Sequence, residues 1–128
     1  NALYFSTPER VLRLQAKVLA GLKLVLGGKV AMISIPRAML QECGAGPEDA
    51  EGLVDLARSV EGAEAAFLQR EIEDGWKISL RAKSTKIDMN AVAARFGGGG
   101  HKAAAGCRIS GSEHEVTEQL VAALKEAM

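Results

Sequence analysis

Phe96-Gly97-Gly98-Gly99-Gly100-His101-Lys102-Ala103-Ala104-Ala105-Gly106 is the stretch on which the reading of this chain turns. Four glycines lead into a histidine and a lysine, and then into residues with almost no side chain. Glycine loses more conformational freedom on folding than any other residue, so four in a row demand a reason. One glycine suffices to stop a helix. The remaining three are the composition of a loop that lets backbone N–H groups approach an anion, with His101 and Lys102 adding side-chain donors. Gly98, Gly99, Gly100, His101 and Lys102 are therefore candidate phosphate-binding residues.

The run is flanked by well-patterned segments. Upstream, Asp88 is positioned to cap a short helix faced by Met89, Val92, Ala93 and Phe96. Downstream, a strand is expected at about Cys107 to Ser110. Ser112 with Glu115 then forms the capping box of a last helix faced by Val116, Leu120, Val121 and Leu124.

Further upstream, Ala63–Glu73 and Trp76–Lys83 read as a hairpin turning at Asp74-Gly75. The second strand alternates, with Trp76, Ile78, Leu80 and Ala82 on one face and Lys77, Ser79, Arg81 and Lys83 on the other. Side chains two apart on a strand are spaced by about 6.5–7 Å, close to the step between phosphates of an extended single strand. Arg81 is the best anchor there, because its planar fork can grip a phosphate through two hydrogen bonds. Trp76 reads as core.

Val30-Ala31-Met32-Ile33-Ser34-Ile35 is a continuous apolar run of strand length, as expected of a central buried strand stopped by Pro36. A short helix through Leu40 to Gly44 follows. A second helix after Pro47 carries Leu53, Leu56, Ala57 and Val60 and closes at Gly62. The N-terminal segment reads as one long helix, capped at Thr7-Pro8-Glu9 and striped by Val11, Leu14, Val18, Leu22 and Val25 as far as Gly27-Gly28. Leu12, Leu19 and Leu26 widen the stripe, which suits a linker helix packed against another domain or a twin subunit in a homodimer. Asn1-Ala2 reads as an expression scar or the cut end of a longer protein. The expected fold is α/β, a mixed sheet of three to five strands covered by helices, with residues 1–28 as scar and linker helix and 29–128 as the domain.

The 128 residues suit one domain, and a hydrophobic fraction of 48% with 25% charged residues is that of a globular protein. No apolar run approaches a membrane span, so no membrane partner is expected. Cys43 and Cys107 lack metal or redox spacing and are expected as buried free thiols in a reducing cytoplasm. Net charge is zero, yet residues 41–74 carry two Lys/Arg against ten acids, while 75–102 carry six against one. The basic block, which holds both the alternating strand and the glycines, can attract an anion locally. His114 sits among acids as a surface residue, and Asp49, Glu51 and Asp55 favour a helix start. Two histidines without carboxylate spacing give no metal centre, and no nucleophile has a base and an orienting partner. The residues are equipped to hold a phosphate and lack those needed to cleave it.

Gly98-Gly99-Gly100-His101-Lys102 with Ala104-Ala105-Gly106 resembles the Gly-Gly-Gly-His signature of the C-terminal domain associated with DHH-family phosphoesterases. Asp49-Ala50-Glu51-Gly52-Leu53-Val54, Ile78-Ser79-Leu80-Arg81 and Ile87-Asp88-Met89-Asn90 also resemble that domain in its nanoRNase branch, from about Val30 to the end. That branch combines oligoribonuclease with 3′-phosphoadenosine-5′-phosphate phosphatase activity. The resemblance implies a division of labour. A separate N-terminal DHH domain would carry a pair of divalent metals, usually manganese. This domain would grip a short RNA or nucleotide through Arg81 and the Gly99-Gly100-His101 segment, with Ser79 and Lys102 as weaker candidates. This fragment alone would be inactive and without cofactor, and the intact parent would be a hydrolase. The family often has Ser after that arginine, where this chain has Ala82; the nearest is Ser84. Alternatives are a non-catalytic nucleic-acid-binding module, as in alanyl-tRNA synthetase-like C-terminal domains, or the same domain in a RecJ-like exonuclease, a polyphosphatase or a cyclic-dinucleotide phosphodiesterase.

Overall fold

The computed structural model describes residues 6–128; the Asn1-Ala2 scar reading lies outside the described residues. The elements are α1 (Glu9–Ala20), β1 (Lys23–Val25), β2 (Val30–Ile35), α2 (Arg37–Cys43), a 3-10 turn (Pro47–Ala50), α3 (Leu53–Arg58), β3 (Ala65–Ile72), β4 (Gly75–Ala82), α4 (Met89–Ala94), β5 (Gly99–Gly100), β6 (Ala104–Ile109) and α5 (Glu113–Ala127). The fold is mixed α/β, with six strands in the order β1-β2-β3-β4-β6-β5, one or more beyond the expected three to five. Only β2 and β3 run parallel, and their connection carries α2, the 3-10 turn and α3. The extra strands are β1 and the two-residue β5.

The N-terminal helix is shorter than its leucine spacing implies. It ends at Ala20, and Lys23–Val25 pairs antiparallel with β2. Gly27 and Gly28, at φ +69° and +86°, turn the chain between β1 and β2 and do not stop a helix. Its N-cap is Pro8 without a side-chain cap, so Thr7 does not play that part. Leu14 and Val18 are buried beneath it, while Leu12 and Leu19 remain exposed. The helix expected after Pro47 is likewise broken. Gly52 adopts φ +84° and separates the 3-10 turn from α3, where Leu56 is exposed. The β3–β4 hairpin forms as expected, but its two-residue turn is Glu73-Asp74, one residue earlier than Asp74-Gly75, because Gly75 pairs opposite Ile72.

Each face of the sheet has its own core. On one, Ala31, Ile33 and Ile35 of β2 and Ala66 and Leu68 of β3 pack under α1, α2 and α3. On the other, Phe67, Ile78, Leu80 and Cys107 pack with Met89 and Val92 of α4 and Leu120 and Leu124 of α5. Burial lifts the Cys107 thiol to about 11, which keeps it neutral. Cys43 is also free but only half-buried. Gln69 is wholly buried, and its amide exchanges hydrogen bonds with Thr117 Oγ1 at 2.8 and 3.1 Å. Trp76 is core, with Nε1 donating to Gly111 O at 3.2 Å.

α4 and α5 follow their caps. Asp88 Oδ1 accepts from Ala91 N at 3.2 Å. The Glu115 N–H donates to Ser112 Oγ at 3.2 Å and the Ser112 N–H to Glu115 Oε1 at 2.9 Å; the hydrogen bond from the Ser112 backbone holds the Glu115 carboxyl below the usual carboxylate range. No helix among the described residues is long and apolar enough to cross a membrane.

Candidate phosphate-binding face

The sheet's alternation sorts the candidate residues onto faces. Trp76, Ile78, Leu80 and Ala82 enter the α4/α5 core, which turns Lys77, Ser79 and Arg81 to the α1–α3 face. Those helices cover β2 and β3 and reach the flank of β4. Beyond them the β4–β6–β5 half presents exposed or half-exposed residues. Register then builds rows across the strands. Arg81 stands opposite Ala104, which exchanges backbone hydrogen bonds with His101 at 2.7 and 3.2 Å. Ser79 stands opposite Gly106, and Gly106 opposite Gly99. Lys77 stands between Arg70 and Arg108.

Strand spacing puts the Arg81 and His101 backbones about 10 Å apart, with Ala104 between them, and four residues of rise separate the Arg81 and Lys77 rows by about 13 Å. The face therefore has a floor of small side chains (Ser79, Gly99, Gly106, Ala104) with cations at both ends. Like charges directly opposite one another in a sheet are unfavourable, yet Arg70, Lys77 and Arg108 form such a row. None of the three has a carboxylate partner among the described residues. An anion laid across the row relieves that repulsion.

Arg81 is half-buried at the edge of a cavity of about 390 Å³ between β4 and the segment from Pro47 to Asp55. Its Nη1 donates to Leu80 O at 2.9 Å, and its Nε lies 3.8 Å from Asp55 Oδ1. Ser79, Lys77 and Arg70 line the same cavity. A shallower hollow of about 330 Å³ adjoins it, lined by Phe96, Gly97, Gly98 and Arg108.

The glycine run is built differently from an amide cradle. Gly97 adopts φ +80°; its N–H donates to Ala94 O, and that of Gly98 to Ala93 O, the paired bonds that close a helix. The Gly100 N–H donates to Asn90 Oδ1 at 2.9 Å, and that of His101 to Ala104 O at 2.7 Å. With His101 and Ala104 a bonded pair, the alternation of an antiparallel ladder makes Gly99 and Gly106 the next. The amides expected to meet an anion are thus occupied within the chain, because the run pairs with β6 as a strand. The glycines are needed for close approach. A Cβ on Gly98 would sit 2.2 Å from Gly106 O, and one on Gly100 2.7 Å from Ala104 O. What the hairpin offers an anion is its exposed tip, with the side chains of His101 and Lys102.

Strand alternation turns Arg81 and Ser79 to this face, Arg81 as the anchor expected from that alternation and Ser79 as a candidate that the family resemblance implied. Neither gives a part to Arg70 and Arg108, which join the face through strand register, or to Asp55, which reaches Arg81 through the crossover. Asn90, which belongs to the Ile87–Asn90 stretch of the family resemblance, anchors the glycine strand through the Gly100 N–H. His114 is exposed and pairs with Glu118 at 3.0 Å. Among the described residues no group of three His, Cys, Asp or Glu is placed to hold a metal.

Residues 27–128 match the DHHA1 domain. The chain belongs to the DHHA1 family. Among curated proteins this DHHA1 domain is similar to the bifunctional oligoribonuclease and PAP phosphatase NrnA of Thermus thermophilus, with 31% identity over 122 residues. The match covers 94% of this chain and 36% of that protein. Among solved structures it resembles an exopolyphosphatase-related protein from Bacteroides fragilis (TM-score 0.88, 31% identity), covering 96% of this chain and 36% of the other. The C-Ala domain of Aquifex aeolicus alanyl-tRNA synthetase shares the fold alone, with TM-score 0.54, 17% identity, and 74% and 89% of the two chains covered. The chain thus spans about a third of the length of NrnA and of the Bacteroides protein.

Proposed function

We propose that this DHHA1 domain is the substrate-holding part of a DHH-family phosphoesterase acting on short oligoribonucleotides, 3′-phosphoadenosine-5′-phosphate or both. The observation that carries the reading is the uncovered β4–β6–β5 half, where small residues lie between the Arg81–His101 row and the Arg70–Lys77–Arg108 row. The similarity to NrnA supports the substrate class. Arg81 would grip a phosphate, Ser79 would donate to a phosphate oxygen, and His101 and Lys102 would neutralise charge from the hairpin tip. Gly98, Gly99 and Gly100 would serve by keeping the floor low. Hydrolysis is assigned to a DHH domain with divalent metal, Mn²⁺ by family resemblance, and this chain's residues orient the phosphate for it.

The test is fluorescence anisotropy of a labelled triribonucleotide with this chain. Arg81→Ala should weaken binding about tenfold, the loss of one charge-assisted hydrogen-bonding group. Unchanged binding would remove Arg81 from the site. Long RNA bound far more tightly than the trinucleotide, with a steep salt dependence, would favour the nucleic-acid-module reading instead.

A further inference from the structure

The phosphate-holding reading gives no part to Asp55, which stands at the rim of the Arg81 cavity. It projects from α3, and its Oδ1 lies 3.0 Å from Arg58 Nη2 and 3.8 Å from Arg81 Nε. The second distance is too long for a hydrogen bond and short enough for an ion pair. Arg81 Nη1 is tied to Leu80 O, so the guanidinium is held in place with further N–H groups left for a ligand. A phosphate gripped by them also stands near the carboxylate, at roughly 6 Å from it if the grip is bidentate.

A pocket holding both signs of charge discriminates between charge states. A phosphodiester carries one negative charge; a terminal phosphomonoester carries close to two at neutral pH, since its second pKa is about 6. Arg81 attracts both. Asp55 opposes the second charge as it opposes the first, and Arg58 offsets part of that opposition.

We propose that Asp55, tempered by Arg58, biases the Arg81 site toward singly charged phosphodiesters and against doubly charged terminal phosphates. Asp55 thereby lowers the advantage that a doubly charged phosphate end would otherwise have over an internal linkage at this cationic site. This rests on Arg81 as a phosphate-binding residue and adds which phosphate it selects. One extra charge at roughly 6 Å from a half-exposed carboxylate changes affinity by about three- to tenfold.

The experiment compares adenosine 5′-monophosphate with its 5′-methyl ester, the same nucleoside with one charge fewer. Both are titrated into this chain at pH 7.5 and followed by amide and arginine Nε–Hε resonances. Asp55→Asn should raise affinity for the monophosphate about three- to tenfold more than for the ester, whereas Asp55→Glu should keep the original ratio. Arg58→Ala should move the ratio the other way, and it carries the test should Asp55→Asn lose its native spectrum. An equal change for both ligands in these variants overturns the selection proposal. Arg81→Ala separates the two claims. Loss of both ligands with an unmoved Asp55 ratio sinks the selection alone, and unchanged binding of both sinks the phosphate-holding reading with it.

Discussion

Replacing Gly98 by alanine tests how the glycine run is used. The added Cβ would lie 2.2 Å from Gly106 O, 2.6 Å from Cys107 Cβ and 2.8 Å from Cys107 Cα. All three atoms belong to β6, which is fixed between β4 and β5, so relief requires the strand itself to move by about 1 Å. Overpacking of this kind costs about 1–3 kcal/mol, and a backbone obstacle places Gly98→Ala at about 3 kcal/mol. The neighbours grade the expectation. Gly99→Ala meets only Asn90 Oδ1 at 3.3 Å and should change stability by under about 0.5 kcal/mol. Gly97→Ala has open space but sits at φ +80°, for a loss of about 1–2 kcal/mol. Urea unfolding followed by fluorescence of Trp76, the single tryptophan, reads all three. Gly98→Ala no more destabilising than Gly99→Ala would refute close approach as the reason for these glycines.

Acid sensitivity should trace in part to Asp49. Its carboxyl lies below the usual carboxylate range because it accepts from Gly46 N–H at 2.9 Å and from Arg10 Nε at 3.0 Å. A depressed folded pKa contributes stability above the unfolded value, and that stability is lost as pH falls through the folded one. Asp49→Asn should therefore be less stable than wild type at pH 6, with a flatter loss of stability as pH falls below about 4, by thermal melts across acid pH. Ser112→Ala removes the hydroxyl cap of α5 and should cost about 1 kcal/mol, a drop of about 3–5 °C in Tm by circular dichroism.

Local chemistry was legible in the sequence. The Asp88 and Ser112 caps, the apolar Val30–Ile35 run and the alternation of Trp76–Lys83 each became the expected element. What escaped depends on distant partners. Leu22 and Val25 continue the helical spacing of α1, yet Lys23–Val25 is drawn into the sheet by pairing with β2, which no local propensity reports. Gly99-Gly100 is a strand only because β6 lies beside it. The candidate site divides in the same way: Arg81 follows from period-two alternation and Ser79 from the family resemblance, whereas Arg70, Arg108 and Asp55 required the register of β3, β4 and β6 and the crossover that brings in α3.

The most direct test of the phosphate-binding face is a two-dimensional amide NMR titration of this chain with a short phosphodiester-linked diribonucleotide. The largest shift changes should map to Lys77, Ser79, Arg81, Ala104, Gly106 and His101, across the uncovered half of the sheet, and should need about tenfold more ligand in Arg81→Ala. Changes confined to α5 or the β1 edge, or saturating at the same ligand concentration in that variant, would contradict the assignment of this face to phosphate.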